Sequence, residues 1–247
     1  MRTVHLALLI GLLAAVLVLA ATAATAGLGE LGLAVGLLVA ASTNGLLVRG
    51  LDRSGATEVG LANAITLTRA TLVAAIAALV ADSLATPSAV RATAIVAFSV
   101  PALTLDAVDG TVARRTGTVT AVGARFDMEV DAFLIMVLSL FVARSTGPWV
   151  LVIGVARYAF VALGVWLVWL RSPLPPRHWR KVVAAAAGVV LTFAALGIGP
   201  TAVTTLLLLG TAALLAESFG RDVLWLYGRR SAAPRRAVID RVAVLDG

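Results

Sequence analysis

Four aspartates are crowded into one stretch of the chain. Asp106, Asp109, Asp127 and Asp131 lie within 26 residues, which hold four of its nine aspartates. Asp106 and Asp109 are three residues apart and Asp127 and Asp131 four, so on helices each pair occupies one face. Carboxylates this close repel one another strongly where water is excluded, and cations are needed to offset the charge. An all-oxygen donor set suits Mg2+ or Mn2+ rather than zinc. Two such ions, about 3.5–4 Å apart and bridged by carboxylates, clamp both sides of a phosphoryl displacement. These residues therefore point to metal-assisted phosphoryl transfer. Their neighbours suit it: Gly110 and Ala113 leave room for a ligand against the helix, while Arg114 and Thr120 offer a charge and a hydroxyl to phosphate oxygens. Gly123 permits close approach at the start of the next helix.

Other chemistries are closed off by composition. There is no Cys, and the two histidines, His5 and His178, lie far apart in the chain. Thiolate metal sites, Cys nucleophiles, His-metal clusters and Ser-His-Asp arrangements are all excluded.

The elements that must position the acids are membrane helices. Of the 247 residues, 60% are hydrophobic and only 13% charged, against roughly 25% charge in a soluble domain. A span needs about 20 apolar residues. Eight stretches meet or approach that length: 4–26, 31–48, 64–80, 89–105, 121–142, 148–170, 182–198 and 201–226. Asp106 and Asp109 end the fourth, and Asp127 and Asp131 lie in the first half of the fifth. Successive spans joined by a short loop are antiparallel neighbours, so both pairs can face one gap. With the amino terminus inside, sixteen of the 20 basic residues fall on the cytoplasmic side, against Arg91 and Arg144 outside. That bias sets the orientation and places the acids at the cytoplasmic end. It also accounts for the net charge of +7 without nucleic acid. The expected fold class is an all-α polytopic membrane protein. The first segment also admits a signal-peptide reading. The basic tail, 229–247, has no apolar face and is expected to lie unstructured near anionic lipid.

The order Asp106-x2-Asp109-Gly110-x2-Ala113-Arg114-x8-Gly123-x3-Asp127-x3-Asp131 is similar to the signature of the CDP-alcohol phosphotransferases, and all eight specified positions match. The resemblance implies a six-helix core over 51–228, preceded by an added pair of helices in 1–50, and possible homodimerisation. It implies that Asp106, Asp109 and Asp127 hold two metals and that Asp131 ligates the second and takes the acceptor proton. It also implies that Asn63 and Thr66, in a segment at the start of the first core helix that includes Arg69, approach the nucleotide. Ala62 stands where the family commonly has Pro, and an N-cap role for Asn63 is equally compatible. The implied reaction moves a lipid-phosphoryl group from a CDP-alcohol, in a lipid membrane CDP-diacylglycerol, to a hydroxyl acceptor with release of CMP. The acceptor, a polyol phosphate, serine or a lipid, stays open. Asp131 is followed by Ala132 and Lys181 by Val182-Val183-Ala184, which departs from both the phosphatidylglycerophosphate and the inositol-phosphate branches.

Further charges are expected to serve these functions. Arg157 lies deep in a span and needs a partner or ligand; Glu217 or the acceptor would supply it. Glu129 points away from Asp127 and suits a headgroup or a neighbouring helix. Arg177, Arg180 and Lys181 could receive a phosphorylated acceptor, or serve topology alone. A carboxylate-lined cation transporter and a silent membrane scaffold are the competing readings. Nineteen Arg against one Lys points to a high-GC bacterial genome, hence the cytoplasmic membrane.

Overall fold

The structure is a computed structural model. It describes the backbone of residues 2–55, 59–116, 120–172, 174–175 and 177–245, with side chains described at 5–55, 59–108, 120–172, 174–175 and 177–229. The described residues form eight α-helices and no strand: α1 (Arg2–Ala26), α2 (Glu30–Ser54), α3 (Leu61–Ala85), α4 (Ala89–Thr116), α5 (Ala121–Thr146), α6 (Leu151–Trp166), α7 (His178–Leu196) and α8 (Thr201–Leu245). Short 3-10 turns flank α6 at Pro148–Val150 and Val168–Arg171. Seven helices are long and apolar enough to cross a membrane, so the chain is a multi-pass membrane protein. The eighth, α5, is long enough but carries Arg125, Asp127, Glu129 and Asp131 in its first half. The backbone of α8 stays helical to Leu245, through the segment expected to lack structure; the side chains beyond Arg229 lie outside the described residues.

Helix α3 is the axis of the fold. It packs against α1, α2, α4 and α5, and its residues from Val73 to Val80 are all buried. Four of those eight are Ala, and small side chains let neighbouring backbones approach where lipid gives helices no hydrophobic reason to associate. The helices farther out keep apolar side chains such as Leu13, Leu38, Val165 and Leu206 exposed, as a lipid-facing surface should.

Helix α2 begins at an unusual cap. Gly29 and Gly32 donate backbone N–H bonds, 2.5 and 2.8 Å, to the buried carboxylate of Asp82 at the end of α3. The first N–H groups of a helix have no internal partner, and here a neighbouring helix supplies one. A Cβ on Gly32 would stand 2.5 Å from Asp82 Oδ2 and 2.8 Å from the Ala78 carbonyl oxygen, so the approach requires glycine. The adjoining residue of α3 is held as well, because Arg144 of α5 donates to the Ser83 carbonyl.

Candidate active site

Arg69 lies among three carboxylates. Its Nη1 is 3.0 Å from Asp106 Oδ1 and also pairs with Asp127, while Nη2 pairs with Asp131. Its Nε donates to the Ala102 carbonyl at 3.1 Å. Carboxylate oxygens of Asp106, Asp127 and Asp131 lie within 4.8 Å of one another. The antiparallel α4 and α5 bring their acidic faces together, and α3 inserts the guanidinium between them. Pro101, one turn before Asp106 in α4, removes a helix N–H.

Exposure differs sharply within the cluster. The three carboxylate side chains are 28–31% exposed and Arg69 only 1%, so the guanidinium closes the inner side and the acids open outward. One positive charge against three negative leaves two uncompensated. A hard divalent cation fits what remains: oxygen donors only, converging, open on one side and in need of positive charge. The side chains of Asp109, Ala113 and Arg114, and the surroundings of Gly110, lie outside the described residues; their backbone is in α4.

Beside the acids stand the residues expected to approach a nucleotide. Thr66 is buried and bonds to the Ala62 carbonyl. Asn63 is buried in the first turn of α3 and donates to the Val59 carbonyl at 2.6 Å. It is not the N-cap: Gly60, at φ 71°, holds that position. Thr120 is the N-cap of α5, its hydroxyl accepting from Gly123 N–H at 3.0 Å. A Cβ on Gly123 would stand 2.5 Å from Asn63 Oδ1. Gly123 therefore lets α5 begin directly against Asn63, which ties the two segments into one wall of the site.

The remaining charges pair in ways the sequence did not specify. Arg157 bonds to Glu129 at 2.6 Å, not to Glu217, because α6 presents it to the adjacent α5. Glu217 instead accepts from Trp179 Nε1 at 2.9 Å and pairs with Arg221. Arg177 and Arg180 face the buried carboxylate of Asp222, at 3.8 and 3.4 Å, and Arg180 also donates to the Pro175 carbonyl. Lys181 is exposed. Asp222 was not expected from the sequence, and the available signal was a second acid, after Glu217, inside the last apolar segment, since such residues carry a partner or a function.

These features define a polytopic helical membrane protein whose partly open carboxylate cluster is built on two antiparallel helices. The chain belongs to the CDP-alcohol phosphatidyltransferase family, whose model matches residues 59–217. The matched region runs from just before α3 into α8 and leaves α1 and α2 outside it. The comparisons with curated proteins and with solved structures each found no match. Family membership makes the chain a phosphotransferase; the family uses CDP-alcohol donors, hydroxyl acceptors and a divalent metal, and the Asp106, Asp127 and Asp131 cluster could hold such an ion.

Proposed function

We propose that this protein transfers a phosphatidyl-type group from CDP-diacylglycerol to a hydroxyl acceptor, releasing CMP, at the cytoplasmic face of the cell membrane in phospholipid biosynthesis. The observation that carries this reading is the convergence of Asp106, Asp127 and Asp131 around Arg69. It is supported by family membership and by the apolar helices that surround the site, which suit a lipid-anchored donor.

Asp106, Asp109, Asp127 and Asp131 hold two divalent ions, Mg2+ or Mn2+, in this reading. Bound there, such ions polarise the phosphoryl oxygens and offset charge developing in transfer. The chain's own residues do the rest. Arg69 fixes the directions of three carboxylates, so little reorganisation is left for the reaction itself. Asn63, Thr66 and Gly123, with Gly110, Ala113, Arg114 and Thr120, form the donor-binding wall. Asp131 takes the proton from the acceptor hydroxyl as it attacks the lipid-side phosphorus, and the bond from that phosphorus to CMP breaks. Arg157, Arg177, Arg180 and Lys181 are the acceptor-side cations, two of them oriented by Asp222.

The test is CMP release by purified protein given CDP-diacylglycerol, Mg2+ or Mn2+, and a panel of acceptors: glycerol 3-phosphate, inositol phosphate, serine and phosphatidylglycerol. Turnover with one acceptor, abolished by EDTA and restored by the metal, is the expected result. No CMP release with any acceptor, or release indifferent to EDTA, overturns the reading.

A further inference from the structure

A long groove runs between α2 and α5, on the face of α5 away from the acids. Its volume is about 890 Å3, within the range of about 300–1,000 Å3 typical of ligand sites. Phe126, Glu129, Val130 and Phe133 line it, at the spacing of one helix face, whereas Asp127 and Asp131 occupy the next. The floor is dry: Val73, Phe126 and Val130 are buried. On the α2 side the lining extends from Leu38 to Ser54. At 1.5 Å per residue that is roughly 24 Å, more than the roughly 15 Å of hydrocarbon in one leaflet.

One end of this apolar channel is cationic. Arg49 and Arg53 of α2 and Arg125 of α5 line it there, all three exposed. None of the three forms an ion pair among the described residues, whereas the Glu129 carboxylate is paired with Arg157. The two helices meet closely at this end, since a Cβ on Gly50 would lie 2.6 Å from Val122 Cγ1. Unpaired arginines above an apolar trench, at the edge of a membrane helix, match a ligand with a negatively charged head and hydrocarbon chains.

We propose that this groove is a binding site for an anionic diacyl phospholipid, with its phosphate among Arg49, Arg53 and Arg125 and its acyl chains along Leu38, Leu46 and Phe133. One wall is α2, which lies outside the region matched by the family, and the other is α5, inside it, so the site is shared between an appended helix and the core. It depends on membrane embedding and not on the transfer reaction.

Native mass spectrometry of the full chain, released from nanodiscs of equimolar dioleoylphosphatidylglycerol and dioleoylphosphatidylcholine, tests the site without reading turnover. One phosphatidylglycerol should stay with each chain in preference to phosphatidylcholine. Replacing Arg49, Arg53 and Arg125 with Gln should lower its retention about fivefold for each charge removed. Ser42→Trp, which fills the groove and leaves its charge intact, should lower retention of both lipids. Circular dichroism checks that each variant keeps its helix content; should the triple variant not fold, Arg125→Gln and Ser42→Trp decide. Equal retention of the two lipids, retention unchanged in the variants, or no retained lipid overturns the proposal. So does a lipid-free dimer, in which a second copy covers the groove.

Discussion

Arg69 Nη1 of α3 and Asp106 Oδ1 of α4 stand 3.0 Å apart, with the arginine 1% exposed and the aspartate 31%. A fully buried cation is thus fixed against a carboxylate that still faces outward. The same guanidinium reaches Asp127 and Asp131, so one side chain organises three acids from two other helices.

Removing that side chain should therefore matter most when no metal is present. Arg69→Gln leaves the three carboxylates facing one another, and breaking a buried ion pair in this way costs about 3–5 kcal/mol. Thermal unfolding in detergent should show a lower Tm for the variant in EDTA, and Mg2+ should raise its Tm by more than that of the parent. An equal metal response in the two proteins would place the ions elsewhere.

Asp131→Asn keeps the size of the side chain and a hydrogen-bonding oxygen but loses the proton acceptor. CMP release should fall by about 10²-fold or more, the ordinary worth of a general base, with the helical circular dichroism unchanged. Turnover at the parental rate would refute the assignment of Asp131 as base.

The cap on α2 should be measurable as stability. Asp82→Ala leaves the N–H groups of Gly29 and Gly32 without their acceptor, at a cost of about 1–2 kcal/mol. Gly32→Ala drives a methyl group toward Asp82 and the Ala78 carbonyl, 2.5 and 2.8 Å away, and overpacking of this kind costs about 1–3 kcal/mol. Both variants should melt earlier than the parent, and because the two sites share partners their effects should not add.

A double-mutant cycle separates the two partners considered for Arg157. The Arg157–Glu129 pair is 26% and 44% exposed, so solvent screening limits its coupling to about 0.2–1 kcal/mol. Arg157→Ala combined with Glu129→Ala should show that coupling in unfolding, and Arg157→Ala with Glu217→Ala should show none.

Much of this protein was decided by local pattern. The length of its apolar runs and its shortage of charge fix a multi-pass helical membrane protein, because backbone polar groups cannot cross lipid unpaired except in helices or closed barrels. Helical periodicity alone puts Asp127 and Asp131 on one face. A short connection makes α4 and α5 antiparallel and brings Asp106 toward those acids, although each helix packs against α3 rather than along the other. The motif around these acids carried the family as well. In α5 the same acids, with Arg125, crowd four charges into the first half of the helix, yet its apolar run, 121–142, is long enough to read as a span.

Tertiary structure decided which charge meets which. Arg69 is 58 and 62 residues from Asp127 and Asp131, and no spacing rule relates them; only the burial of α3 between α4 and α5 does. Asp82 at the start of α2, Asp222 beneath Arg177 and Arg180, and Glu129 beside Arg157 are of the same kind. Each is a partnership across helices, and it depends on how each helix is rotated about its axis and how deep it sits. A periodic apolar sequence constrains rotation only as far as its faces differ, and helices as uniformly apolar as α1 and α3 have little contrast to constrain it. Contact between side chains from distant parts of the chain settled that choice.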